Sequence, residues 1–292
     1  MKYTRYLLPF LLLPVLACNQ QADSADAYGN FEAIEVMVSA ESNGRIISFP
    51  AREGADLLKN QITVIIDTTQ LYLQKVRLES GFVSLGSRIN TLEAQVRVSR
   101  VQLDNLEREK ERIDKLVEGG AATSKQQDDI NGQVVLLEAQ IAATESQKAS
   151  VHAERKTLEV QIRQVEDQIV KCAVRNPIEG IMLTKYREQG EVAAVGQPLY
   201  KTADMGELIL RAYLSGNQLS SVKTGETVRV RFDKEQGMEE TTGVVSWVSP
   251  RAEFTPKIIQ TREERVNLVY AIKVVVPNDG SLKIGMPGEV LF

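Results

Sequence analysis

Residues 78–117 read LESGFVSLGSRINTLEAQVRVSRVQLDNLEREKERIDKLV, and their apolar spacing decides the fold. The stripe, entered from Leu71, runs Leu78, Phe82, Leu85, Ile89, Leu92, Val96, Ser99, Leu103, Leu106, Lys110, Ile113 and Val117. Steps of three and four alternate, a period of 3.5 residues, which specifies a left-handed supercoil. The pattern stops at Glu118-Gly119-Gly120-Ala121-Ala122-Thr123-Ser124. Adjacent glycines end a helix, and Thr123 or Ser124 can cap the next one. A second stripe follows: Ile130, Val134, Leu137, Ile141, Thr144, Lys148, Val151, Arg155, Leu158, Ile162, Val165 and Ile169. Each arm is about 48 residues, roughly 70 Å at 1.5 Å per residue. Equal arms about a glycine turn predict one antiparallel hairpin rather than a parallel dimeric coil. Thr144, Lys148 and Arg155 are polar layers in the second arm; such layers set register at some cost in stability. His152, the sole histidine, falls beside the stripe and is expected to face solvent.

The flanks repeat each other. Gly44-Arg45-Ile46-Ile47, Glu53-Gly54, Asn60-Gln61 and Asp67 match Gly180-Ile181-Met182-Leu183, Gln189-Gly190, Gly196-Gln197 and Asp204. The first two glycines are ten residues apart in both copies, and the next step is six in both. Asn60 stands where Gly196 stands, and both types tolerate a left-handed turn. Further on, Glu207–Leu214, Gly225–Phe232, Thr242–Val248 and Leu268–Val276 alternate at period two, as strands do. Gly285-Met286-Pro287-Gly288 precedes a last strand.

Composition narrows the function. Net charge is −4 with no basic stripe, which argues against a nucleic-acid partner. Aromatics make up only 5%, in keeping with much coiled coil and few large compact cores. HExxH, G-x-S-x-G and phosphate-cradling glycine loops are all missing, and a hydrolytic triad would have to use His152 on a coiled-coil face. We therefore expect no catalytic residues, no metal and no cofactor. Two cysteines, Cys18 and Cys172, cannot make a structural zinc site without several other ligands; Cys172 reads as a small residue near a helix end.

The N-terminus reads as an export signal. Lys2 and Arg5 precede an apolar run, Leu7 to Leu16, of about ten residues, short of the about 20 that span a membrane. Val15-Leu16-Ala17-Cys18 resembles the bacterial lipobox, which implies lipidation of Cys18; the alternative is a plain signal peptide with an incidental Cys.

Two repeat halves of this kind resemble a lipoyl/biotinyl-like β-sandwich. With a hairpin between them, the chain resembles the HlyD-type membrane fusion proteins, periplasmic adaptors of Gram-negative export machines. Ala252-Glu253-Phe254-Thr255-Pro256-Lys257 and Leu268-Val269-Tyr270 are most similar to the branch serving ABC-type exporters. The resemblance implies a mixed α and β, elongated molecule. Its expected divisions are a signal peptide over 1–17, a lipid-anchored tether over 18–30, a first lipoyl-like half over 31–68, the hairpin over 69–171 with its tip near 118–124, the second half over 172–205 and an adaptor β-barrel over 206–292. Because the chain ends at Phe292, the extra membrane-proximal domain of many relatives is expected to be absent or vestigial. Implied partners are an inner-membrane transporter (ABC type favoured), a TolC-like outer-membrane channel, further copies in a ring, and the inner membrane through the lipid. The implied place is the periplasm, and the implied role is export of small molecules or other substrates. A carrier subunit bearing lipoate or biotin is the alternative, but its lysine would sit on the turn where about 100 residues of hairpin are inserted.

The family's tip motif, Arg, then Leu four on, then Ser seven further, is matched by Arg112, Leu116 and Thr123. This implies contact with the outer-membrane channel: guanidinium donors, an apolar contact and a hydroxyl. Read without the family, Arg112 is solvated, Leu116 packs in the turn and Thr123 is only a cap. Asp128 is expected to be a first-turn acid favourable to the helix dipole. For the N-terminus, the expected outcome is that Cys18→Ser abolishes labelling of the protein by radioactive palmitate in whole cells; an unlabelled wild type would leave the plain signal peptide.

Overall fold

The computed structural model describes residues 25–234, 237–254 and 268–292. Cys18, the signal segment, the start of the tether and residues 255–257 lie outside the described residues. The chain forms two compact units, one of Glu35–Ala203, the other of the segment ending at Ile34 together with Asp204–Phe292.

In the second of these units, β1 (Ala27–Glu32) pairs antiparallel on one side with β10 (Glu207–Ser215) and on the other with β15 (Pro287–Leu291). The sheet continues through β11 (Thr227–Lys234), β12 (Gly237–Val248) and β14 (Leu268–Pro277). It closes because β14 returns to β10, with Glu207 opposite Pro277 and Ser215 opposite Val269. The short β13 (Glu253–Phe254) adds to β14. Closure leaves the six strands of the ring no free edge. The interior is filled by Phe31, Leu208, Leu210, Val230, Phe232, Val274 and Val290. Phe31 and Phe232 meet edge to face, centroids 6.4 Å apart. Gly288 is needed there: a Cβ would come within 2.8 Å of Phe31 and 2.9 Å of Leu210.

This corrects the expected tether and barrel. Residues 27–30 are not tether but part of a strand, and the barrel over 206–292 is incomplete without it. Ala27 and Phe31 are fully buried, so the apolar side chains of β1 are what close the interior. The sandwich accordingly begins at Glu35 rather than at residue 31.

The other unit is the sandwich and hairpin. β2 (Glu35–Ser39), β3 (Gly44–Ser48), β4 (Asp56–Leu57) and β5 (Ile62–Ile66) precede the hairpin. β6 (Ala173–Arg175), β7 (Gly180–Lys185), β8 (Val192–Ala193) and β9 (Pro198–Ala203) follow it. The two sheets have the orders β2-β9-β7-β4 and β6-β5-β3-β8. Each half thus gives two strands to either sheet, and exchanging the halves exchanges the sheets. The repeat has its physical basis in matching turns: Gly54 and Gly190 have φ of 82° and 96°, Asn60 and Gly196 of 66° and 81°. Ile46, Leu57, Val64, Ile66, Met182 and Leu199 make the core. Within it Thr63 donates to the Tyr200 hydroxyl (3.0 Å), which donates to Asn176 Oδ1 (3.2 Å). Burial pushes the Tyr200 phenol up from its usual range, opposed by the Thr63 hydrogen bond.

From the sandwich rise α1 (Thr69–Glu118) and α2 (Ser124–Lys171). Every stripe residue quoted from Leu78 onward is at least partly buried, and Ile89, Leu92, Val96, Ile130, Val134, Val151 and Val165 are fully so. Two helices cover only one stripe of each other, which is why so few side chains are wholly enclosed. The polar layers find partners. Arg155 lies over the Phe82 ring at 4.2 Å, and Lys148 pairs with Glu145 at 2.7 Å. His152 is exposed. Among the described residues no helix is long and apolar enough to cross a membrane.

Asn60 is the one non-glycine residue with positive φ among those described. Asn60→Ala should therefore lower unfolding stability by about 1 kcal/mol, whereas Asn60→Gly should leave it nearly unchanged, both read from urea denaturation.

Candidate functional site

The hairpin turn is built by backbone hydrogen bonds. Gly119 and Gly120 N–H groups donate to the Lys115 and Val117 carbonyls at 3.1 and 3.0 Å. Gly120 has φ of 73°, which reverses the chain. Ala121 and Ala122 then both donate to the Leu116 carbonyl, at 2.8 and 3.2 Å. The carbonyls of Lys115, Leu116 and Val117 in the last turn of α1 are thereby satisfied within the reversal.

Thr123, rather than Ser124, caps α2. Its Oγ1 accepts from the Gln126 N–H at 3.3 Å, while Gln126 Oε1 accepts from the Thr123 N–H at 2.8 Å. That reciprocal pair is a capping box. The T-x-x-Q spacing was its signal, and Gln126 is a functional partner the sequence reading passed over. Gln127 Nε2 also donates to Asp114 Oδ1 at 2.7 Å, which ties the two arms directly below the turn. Asp128 requires correction. Since α2 starts at Ser124, its first turn contains no acid, and Asp128 begins the second turn, where the dipole falls off.

Of the three motif residues, Arg112 and Leu116 lie one turn apart on α1 and Thr123 opens α2. Arg112 is 69% exposed, held by Glu109 at 2.7 Å. Leu116 is 39% exposed. Thr123 is exposed, with its hydroxyl engaged in the cap. The tip therefore offers a guanidinium and an aliphatic side chain to solvent, on a turn held by its own backbone hydrogen bonds. Thr123 acts on this site by shaping it.

At the root, β5 leads into α1 through Asp67 and Thr68 alone, and α2 leads into β6 through Cys172. Asp67 Oδ1 accepts from the Thr69 hydroxyl (2.6 Å) and N–H (2.9 Å), which hold its carboxyl below the usual range. The Cys172 thiol is buried, 3.2 Å from Ser42 Oγ. Among the described residues no three His, Cys, Asp or Glu side chains cluster to hold a metal.

No protein-family profile matches the chain. Over 115 residues it is 34% identical to a UPF0194 membrane protein of Acidithiobacillus ferridurans, covering 39% of this chain and 34% of that protein. It is 32% identical over 117 residues to the UPF0194 membrane protein YbhG of Salmonella gallinarum, 40% of this chain and 35% of that one. The chain thus spans about a third of the length of these curated relatives. Among solved structures it is similar to MacA from Actinobacillus actinomycetemcomitans, with TM-score 0.57 and 18% identity over 90% of this chain and 76% of MacA. The membrane fusion protein Spr0693 from Streptococcus pneumoniae R6 gives 0.57 and 15%, over 90% and 97%. The periplasmic adaptor protein EmrA gives 0.52 and 16%, over 91% and 97%.

The cap yields a stability test. Thr123→Ala should cost about 1 kcal/mol, seen as a lower thermal midpoint, and Thr123→Ser should restore it.

Proposed function

We propose that this chain, which has the helical hairpin, sandwich and barrel of the membrane fusion proteins, is a periplasmic adaptor that links an inner-membrane transporter to a TolC-like outer-membrane channel. One observation carries the reading. The hairpin occupies the junction between the sandwich halves and ends in a capped turn that presents Arg112 and Leu116. In a lipoyl or biotinyl carrier that junction is a short turn bearing the modified lysine. Here a 50-residue helix and a 48-residue helix stand in its place, which gives reach of about 75 Å. The role is mechanical, without a reaction of its own.

Several features support the wider reading. A lipid on Cys18 would hold the chain at the inner membrane, since a multiply acylated anchor is firm where a single chain is weak. One hairpin cannot enclose a conduit, so several copies form a ring. The stretch around Glu253 and Leu268 favours a transporter of the ABC type. The cargo is small molecules or other substrates.

Arg112 is the residue to test. A benzophenone amino acid at the exposed Lys125 should crosslink the full-length protein to an outer-membrane protein in whole cells. Adding Arg112→Asp should abolish that crosslink and export while helix content by circular dichroism stays constant. An undiminished crosslink in the Asp variant would overturn the tip assignment.

A further inference from the structure

The two long edges of the hairpin differ in chemistry. With Phe82 and Leu85 as a and d on α1, and Val134 and Leu137 as a and d on α2, the antiparallel pair brings the two e rows together on one edge and the two g rows on the other. The ion pair Arg100–Glu145, 3.1 Å, joins e to e, and the glutamine-lined grooves lie between g rows.

The e edge is acidic. Of its fourteen positions, from Tyr72 to Asp114 and from Ser124 to Glu166, eight are Asp or Glu and one is Arg. The register that pairs Arg100 with Glu145 brings Glu107 opposite Glu138, seven residues nearer the tip on each arm. Both are exposed, and neither has a cation partner among the described residues. The g edge is nearly uncharged. Of its fourteen positions nine are Gln, two Glu and one Arg. On α2 the row runs Gln126, Gln133, Gln140, Gln147, Glu154, Gln161 and Gln168.

This edge also has shape. One groove of about 440 Å³ is lined by Gln102, Asn105, Gln133 and Gln140 around Leu106, Leu136 and Leu137. A second, of about 360 Å³, lies four heptads toward the root on each arm, where Gln74, Gln161, Gln164 and Gln168 line it. Apart from Gln126 in the cap, no glutamine side chain of the g rows makes a hydrogen bond within the described residues. Aliphatic side chains flank both edges: Val98 and Leu136, 59% and 71% exposed, beside the amides, and Val83 and Val135, 66% and 62%, beside the acids.

We propose that the amide edge of the hairpin is the docking surface for the acidic edge of a second copy of this chain, so that hairpins join side by side in one rotational sense. The proposal rests on the adaptor reading only for the closure of these contacts into a ring. The alternatives are poorer physically. Acid against acid sets like charges face to face, and they repel. Amide against amide gives a two-fold dimer with neutral hydrogen bonds and leaves the acidic edges unpaired. Amide against acid lets each Gln Nε2 donate to a carboxylate, a charge-assisted bond about twice as strong as a neutral one, and uses both edges of every copy. Contacts between unlike edges propagate from copy to copy, and they close as a ring when the rotation between neighbours divides the full circle.

The test uses full-length protein in cell membranes with a benzophenone amino acid at Gln140. The expected product is a dimer whose crosslinked residue, by mass spectrometry, lies on the e edge of the other copy, around Glu138 or Glu107. A crosslink to the amide edge of the other copy, to a different protein, or none between copies would overturn the proposal. A second measurement covers an unreactive probe. Gln133→Glu, Gln140→Glu and Gln147→Glu together, all on an exposed row and all good helix formers, should weaken self-association on the order of tenfold or more. Glu107→Gln with Glu138→Gln in the same chain should recover most of it; unchanged self-association in the triple variant counts against the interface. Failure of the adaptor reading is visible separately, because the Lys125 probe reports only the outer partner and the Gln140 probe only contacts between copies.

Discussion

The pairing of β5 with β6 is the constraint on which the hairpin depends. Ile62 lies opposite Arg175, Val64 opposite Val174 and Ile65 opposite Ala173, so the two helices leave adjacent, antiparallel strands of one sheet. That ladder sets their separation and relative height at the root. At the far end the Gly119-Gly120 reversal and the Gln127–Asp114 bond set them again. Between these two fixed ends the 3.5-residue stripe has to stay in register for about thirteen turns, and it does so because each arm has nearly the same length. An insertion of one residue in either arm would rotate its stripe by about 100° away from its partner.

Within that register the polar layers have a consistent role. Lys75 bridges to Glu166 at 2.7 Å near the root, which raises the ammonium's affinity for its proton. In mid-arm the hydrogen bond from Lys148 holds the Glu145 carboxyl below its ordinary range, with Arg100 adding attraction from the other helix. These pairs lie at the half-buried, solvent-bathed margin of the seam, and each contributes little to stability. The pairs that cross the seam are directional: Arg100–Glu145 joins e row to e row and Lys75–Glu166 joins an a position to the e row, and both would mispair after a shift. The Arg155 guanidinium over Phe82 allows a cation to occupy a seam position without being buried alone.

The chemistry of the two hairpin edges follows from the same geometry. A supercoil that keeps a and d inside keeps e and g at its margins along the full length, so a bias in either row becomes a continuous stripe. Here one stripe is acidic and the other is amide-rich. A tip that carries Arg112 and Leu116 at its end and two unlike stripes along its sides suits a part that touches different partners at its end and flanks.

The linear chain alone determined the hairpin, its turn, and the repeat of the sandwich, because each is local: heptad spacing, paired glycines and equal offsets all act over short separations. The residues Arg112, Leu116 and Thr123 were singled out only by the resemblance to a family motif, whereas the exposure of His152 beside the seam followed from its heptad position. What tertiary structure alone decided are pairings across long separations. β1 is a short segment, Ala-Tyr-Gly-Asn-Phe-Glu, with little to mark it in a polar stretch, yet it closes the barrel between β10 and β15, strands that begin at Glu207 and Pro287. The choice of Thr123 over Ser124 as the cap, which moved Asp128 out of the first turn, turned on one side chain reaching Gln126. In each case the deciding free energy comes from a partner that no local window of sequence contains, or from a choice between neighbours that only the folded backbone resolves.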